Sequence, residues 1–241
     1  MIRILIVEAR KLNRSLVLLL AAAAPTLVAV FAFFNMLRFE EAQPWAMWLQ
    51  GAAAIWAFFM LPMSVTALTA LVAHMEHGPR AWDQLRALPI ARWRIYAAKA
   101  ICVLVLIAGM SLANLVLTIG AIHLATAVKP ELAPTGTLDL AENLITTGKV
   151  AAAALLLTAI QFWTAMRWSS FVPALALGIG GTFFAVVATA AKQGVFFPWQ
   201  MPINMLATDA WRVQTALVLG AGLGLCVFVA AIIHLAGREP A

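Results

Sequence analysis

Residues Ser15–Leu37, SLVLLLAAAAPTLVAVFAFFNML, contain no charged side chain and decide how this chain folds. A hydrocarbon layer about 30 Å thick is crossed by about 20 apolar residues in an α-helix, so this run is long enough to span it. Pro25 does not argue against a helix here, because neighbouring helices satisfy the backbone groups that a proline frees inside a membrane. Working outward, runs of the same kind recur at about Trp45–Ala73, Ala100–Leu124, Lys149–Met166, Phe171–Ala191 and Thr215–Ala236. The whole chain of 241 residues is 64% hydrophobic and 11% charged. Soluble proteins sit near 45–50% and about 25%. Long Ala- and Leu-rich runs without alternation exclude a membrane β-barrel. The expectation is an all-α polytopic membrane protein of about six spans, forming a single domain over 1–241.

Before the first span, MIRILIVEARKLN places Ile2, Leu5, Ile6, Ala9 and Leu12 against Arg3, Glu8, Arg10 and Lys11 at helical spacing. That pattern predicts an amphipathic helix over 1–14 lying in the membrane interface, which also serves as a basic anchor for the first span. Span 2 opens with Trp45 and Trp48 as an interfacial belt and carries Pro62 beside Ser64, Thr66 and Thr69. Span 3 holds Ser111 and Asn114 at its centre, and an Asn in lipid calls for a partner on another helix. Residues 192–213, KQGVFFPWQMPINMLATDAWR and the following valine, are too apolar for a solvated loop and too broken to span. They read as re-entrant or interfacial helices. In the last span Gly220 and Gly224 lie four apart, a spacing that lets two helices approach closely.

The longest polar interruption is 74–99, HMEHGPRAWDQLRALPIARWRIYAAK. Gly78 and Pro79 end one helix, Arg80–Leu88 forms a short second one, and Pro89 closes it. Two readings of this loop stay open on its residues: a protein-docking helix displaying an aromatic and mixed charges, or a basic anchor for lipid headgroups. In the second, Arg92, Arg94 and Lys99 meet lipid phosphates. With the N-terminus cytoplasmic, eleven of the sixteen Lys and Arg fall on the cytoplasmic side, including those of this loop. The positive-inside bias thus places both termini and the loop in the cytoplasm. It also accounts for the net charge of +6 without nucleic acid.

Catalytic signatures are missing. The chain contains no HExxH, no GxSxG and no GxxxxGK[ST] phosphate loop, so no catalytic residue is assigned and ATP hydrolysis would have to come from elsewhere. His74, Glu76 and His77 cluster without further ligands, and no metal site is assigned. Cys102 and Cys226 lie in apolar runs and read as free buried thiols. The first apolar run is longer than a signal peptide core, and no cleavable leader is expected.

Glu76 followed by Trp82, Leu85, Leu88, Pro89 and Arg92 makes a W-x-x-L-x-x-L-P-x-x-R pattern behind a glutamate. This resembles the cytoplasmic loop of ABC transporter permeases of the type-2 exporter class, especially those of lantibiotic immunity and bacitracin export. Glu8 and Lys11 (E-x-x-K), the FWTAMRWSSFVPALALGIG turn (162–180) and the FFPWQMP segment (196–202) are also similar. The resemblance implies a six-span half-permease that pairs with a second copy, as a homodimer, or with a paralogue in the cell (inner) membrane. It implies two copies of a separate ABC ATP-binding subunit, which bind the ATP and Mg; this chain is expected to bind no cofactor. The docking contacts it implies are Glu76, Arg80, Trp82, Asp83, Leu85, Arg86 and Arg92, with Glu76 pairing to an arginine of the loop and Glu8, Arg10 and Lys11 on the interfacial helix. The cargo class is a hydrophobic or amphiphilic compound, such as a peptide antibiotic or a lipid. The alternative is a structural or assembly protein whose basic loop anchors lipid or a partner.

Overall fold

The computed structural model describes residues 1–13, 15–77, 90–189 and 191–237. These form helices and short turns with no strand among the described residues. Helix α1 (Ile2–Leu12) is followed by α2 (Leu16–Leu37), α3 (Trp45–His77), α4 (Arg92–Val128), α5 (Leu140–Arg167), α6 (Val172–Ala188) and α7 (Ala210–Ala236). Five of these, α2, α3, α4, α5 and α7, are long and apolar enough to cross a membrane, and α6 is apolar but shorter, at 17 residues. At 1.5 Å per residue α6 measures about 25 Å, close to one hydrocarbon thickness. The chain is a multi-pass membrane protein.

Local chemistry accounts for the helix boundaries. Ser15 caps α2, its hydroxyl accepting from the Val17 amide, and Asp139 and Asp209 cap α5 and α7 in the same way. Helix α4 starts at Arg92 and runs on into the third apolar run, because nothing between them breaks a helix, so two basic turns continue into the span. Helix α5 starts earlier than the apolar run for the same reason, and it is offset at Ala154. Two wide π turns interrupt regular winding, Trp56–Met60 in α3 and Val218–Leu223 in α7.

Helix α4 is the central strut. It runs alongside α2 and also touches α1, α3, α5 and α7. The lower half of α3 packs against α5 and α6, and α7 packs on α5. Lipid supplies no hydrophobic drive between helices, so close fit matters. Gly220 sits on the backbone of Ala153 and Gly224 on that of Leu155 and Leu156, so a Cβ at either place would strike α5. Gly178 of α6 is equally tight against Thr66 and Gln161.

Residues 192–206 do not form regular helices. They make three short 3₁₀ turns, Lys192–Phe196, Pro198–Gln200 and Ile203–Leu206, folded onto the bundle with Val195, Trp199, Met201 and Met205 buried. Gln200 Nε2 donates to the Ala185 carbonyl and to Thr189 Oγ1, and Asn204 Nδ2 donates to the Gln200 carbonyl at 2.7 Å. At the same end the two connecting loops are joined, with the Trp45 amide donating to Thr135 O and the Thr135 amide to Gln43 O. This is the far end of the bundle, opposite α1. Outward surfaces are apolar, with Leu27, Phe31 and Phe34 on α2, Val105 and Val116 on α4, and Val229 and Ile233 on α7. Cys102 is buried, whereas Cys226, expected to be buried, lies on the exposed face of α7.

Candidate functional site

Four charged side chains meet where α1, the end of α3 and the start of α4 converge. Glu8 and Lys11 sit one turn apart on the inward face of α1, Glu76 lies one residue before the end of α3, and Lys99 lies two turns into α4. Lys99 Nζ donates to Glu8 Oε2 at 2.5 Å and to Glu76 Oε1 at 2.7 Å. Lys11 Nζ donates to Glu76 Oε1 at 2.9 Å and to Glu8 Oε1 at 3.1 Å. The side chain of Lys99 is 0% exposed, Glu76 1%, Glu8 5% and Lys11 33%. Two ammoniums face two carboxylates, so the set is neutral as a whole, which is the condition for keeping ions in a low-dielectric interior.

The arrangement is asymmetric. Lys99 is sealed and joins all three helices, while Lys11 reaches in from the surface. Burial opposes the Lys11 ammonium, but the Glu76 and Glu8 carboxylates outweigh it and raise its pKa above that of an ordinary lysine, so it stays charged through the neutral range. Glu76 Oε2 has no hydrogen-bond partner among the described residues. Glu76 is the second-last residue of α3, just before residues 78–89, which lie outside the described residues.

One reading from sequence changes here. Lys99, expected to meet lipid phosphates with Arg92 and Arg94, is instead fully buried between Glu8 and Glu76; Arg92 and Arg94 remain exposed. Glu76 pairs with Lys11 and Lys99, and the loop arginines Arg80 and Arg86, which it was expected to meet, lie outside the described residues. The physical reason is depth. Lys99 follows Arg92 by two turns, about 10 Å along α4, which carries it past the surface to the level of α1. The signal for this in sequence is that Glu8 and Glu76 are two acidic residues flanking apolar runs, where a buried carboxylate calls for a cation. Arg10 is exposed on α1, beside Ile6 and Val7, which are exposed too. Arg80, Trp82, Asp83, Leu85 and Arg86 lie outside the described residues.

No group of three or more His, Cys, Asp or Glu able to hold a metal occurs among the described residues. The cluster fastens three helices together and can release them only at a cost. Among curated proteins and among solved structures, none matches the chain. A family model does: residues 4–186, about three quarters of the chain and including all four cluster residues, match the ABC-2 family transporter protein model. A sealed ionic joint at the root of the loop, in a multi-pass chain without a phosphate loop, suits a transport subunit moved by another protein, and the chain belongs to the ABC-2 transporter family.

Proposed function

We propose that this chain is the permease half of an ATP-driven exporter, and that the Glu8, Lys11, Glu76 and Lys99 cluster is the joint through which the motor acts. Members of the family are membrane transport components that work with ATP-binding subunits. The observation that carries the mechanical reading is the burial of Lys99 between carboxylates from two different helices. In this reading the loop at 78–89 docks on the ATP-binding subunit through Trp82, Leu85 and Arg86, with Arg80 and Asp83 setting register and Arg92 at its edge. Two such subunits bind ATP and Mg and serve two permease copies, as a homodimer or with a paralogue. The positive-inside count supports a cytoplasmic side for the loop and both termini, in an inner-membrane protein.

Closure of the ATP-binding subunits then shifts the end of α3. Because Glu76 is bonded to Lys99 and Lys11, α1 and α4 must follow as one unit, and α2, α3 and α6 rearrange to pass a hydrophobic or amphiphilic cargo outward. A peptide antibiotic or a lipid fits that description. The test is reconstitution with the ATP-binding subunit in proteoliposomes. Trp82→Ala and Arg86→Glu are expected to reduce co-purified ATPase, whereas Lys99→Met is expected to keep the ATPase bound yet lose transport. Unchanged ATPase capture in both loop variants overturns the docking, and full transport by Lys99→Met overturns the joint.

A further inference from the structure

The far half of the bundle holds a second polar site, and its inner cavity is lined by no charged residue. A small cavity of about 20 Å³, enough for a single water or hydroxyl group, lies between α3, α4 and α5, with Trp56, Ser111, Asn114 and Thr118 around it. One side is fully satisfied: Trp56 Nε1 donates to Ser111 Oγ at 3.1 Å, and the Ser111 hydroxyl donates to the Ile107 carbonyl. The other side is not. Asn114 Oδ1 and Thr118 Oγ1 are buried and have no partner among the described residues, in residues that are 5% and 1% exposed.

Thr118 departs from the habit of its neighbours. In this chain Thr126, Thr158, Thr164, Thr182 and Thr189 each return their hydroxyl to the carbonyl four residues back, as helix threonines do in apolar surroundings. Thr118 leaves its hydroxyl in the cavity instead. An unpaired buried polar group costs about 1–3 kcal/mol, so two side by side on one wall mark a place meant to be filled. The wide π turn Trp56–Met60 borders the same cavity, and such turns are frequent at functional sites.

Leu49, Ala53, Asn143 and Thr146 line both this cavity and a larger cleft of about 470 Å³ between α3, the start of α5 and the 3₁₀ turn at Ile203–Leu206, so the two adjoin. The cleft lies at the far end, opposite the charge cluster, and Gln50, Glu142 and Thr208 also line it. The geometry points to a binding site for an uncharged amphiphile, its hydroxyl or amide head in the small cavity and its chain in the cleft. An amide oxygen and a hydroxyl ask for a group that both donates and accepts. A quaternary ammonium has no donor, and a phosphate or carboxylate would meet the Asn114 oxygen with no cation lining the cavity. The assignment concerns binding and stands apart from coupling to an ATPase, so its readout uses no nucleotide.

The test is photolabelling of the full-length chain in nanodiscs with three diazirine lipids that share one acyl chain. They end in a glycerol (a monoacylglycerol), a trimethylammonium or a phosphate, and labelled residues are mapped by mass spectrometry. The expected result is at least about fivefold more labelling of segments 49–56, 111–118 and 143–150 by the glycerol probe than by the charged probes. Thr118→Val, which keeps shape and removes the hydroxyl, and Asn114→Leu should each cut that labelling about fivefold, while labelling of lipid-facing α2 stays constant. Equal labelling by the three probes overturns the site. So does unchanged labelling in Thr118→Val, the variant of conserved volume that decides if Asn114→Leu does not fold; the two groups would then hold only a structural water.

Discussion

The two ends of this bundle treat buried polarity in opposite ways. At the α1 end, Lys99, Glu8, Glu76 and Lys11 bring full charges into the interior and cancel them among themselves. At the far end, Asn114 and Thr118 bring in only dipoles and leave them unpaired. The charged set costs more to desolvate, yet its charges are balanced and its geometry is fixed by four ion pairs, with Glu76 Oε2 the one carboxylate oxygen left without a hydrogen bond among the described residues. The uncharged set costs less, and it is open. A closed set of charges is suited to transmitting position, because no partner can shift alone without exposing a bare ion. An open pair of dipoles is suited to receiving something, because whatever bonds them recovers an outstanding desolvation cost.

Breaking the closed end should have the largest effect. Lys99→Met leaves two buried carboxylates with a single, half-surface ammonium, and a loss of about 3–5 kcal/mol in unfolding stability is expected. Thermal unfolding in detergent checks it. Converting all three sealed positions to apolar residues, with Glu8→Leu and Glu76→Leu added to Lys99→Met, should recover most of that stability without recovering transport, since what the joint supplies is registration. Gly224→Val should rank next: its new side chain meets the α5 backbone at Leu155 and Leu156, and overpacking of that kind costs about 1–3 kcal/mol.

Smaller effects sharpen the contrast. Lys11→Met removes a cation that is a third exposed, so about 1 kcal/mol or less is expected, and added salt should shrink the difference between wild type and variant. The Lys99→Met loss should hardly respond to salt, because the sealed pairs are not screened. Thr118→Val should be neutral or slightly stabilising in the same unfolding measurement, since it deletes a hydroxyl that has no partner. A clear destabilisation would mean that the far end is closed after all, and the contrast between the ends would fail.

Much of the architecture is legible in the chain. The run Ser15–Leu37 announces its helix, and the other apolar runs place their spans to within a turn or two, because a lipid phase demands continuous apolar helices. The boundary slips at Leu140, where helical propensity carries on past the edge of the apolar run. The fragments over 192–206 are harder, because their turns are set by Trp199, Gln200 and Asn204 finding places on α6 and on one another. The loop motif from Glu76 to Arg92 and the phosphate-loop absence lead to the family, and the family match over 4–186 agrees with that reading.

By itself, then, the sequence determined that the chain is helical and lives in lipid, because length and polarity are properties of composition and order. Only the tertiary structure decided which charges meet. Lys99 shares no local pattern with Glu8, 91 positions earlier, or with Glu76, 23 positions earlier. Their pairing depends on how deep each helix sits and how α1 lies across α4, and no local spacing encodes a depth shared by three separate helices.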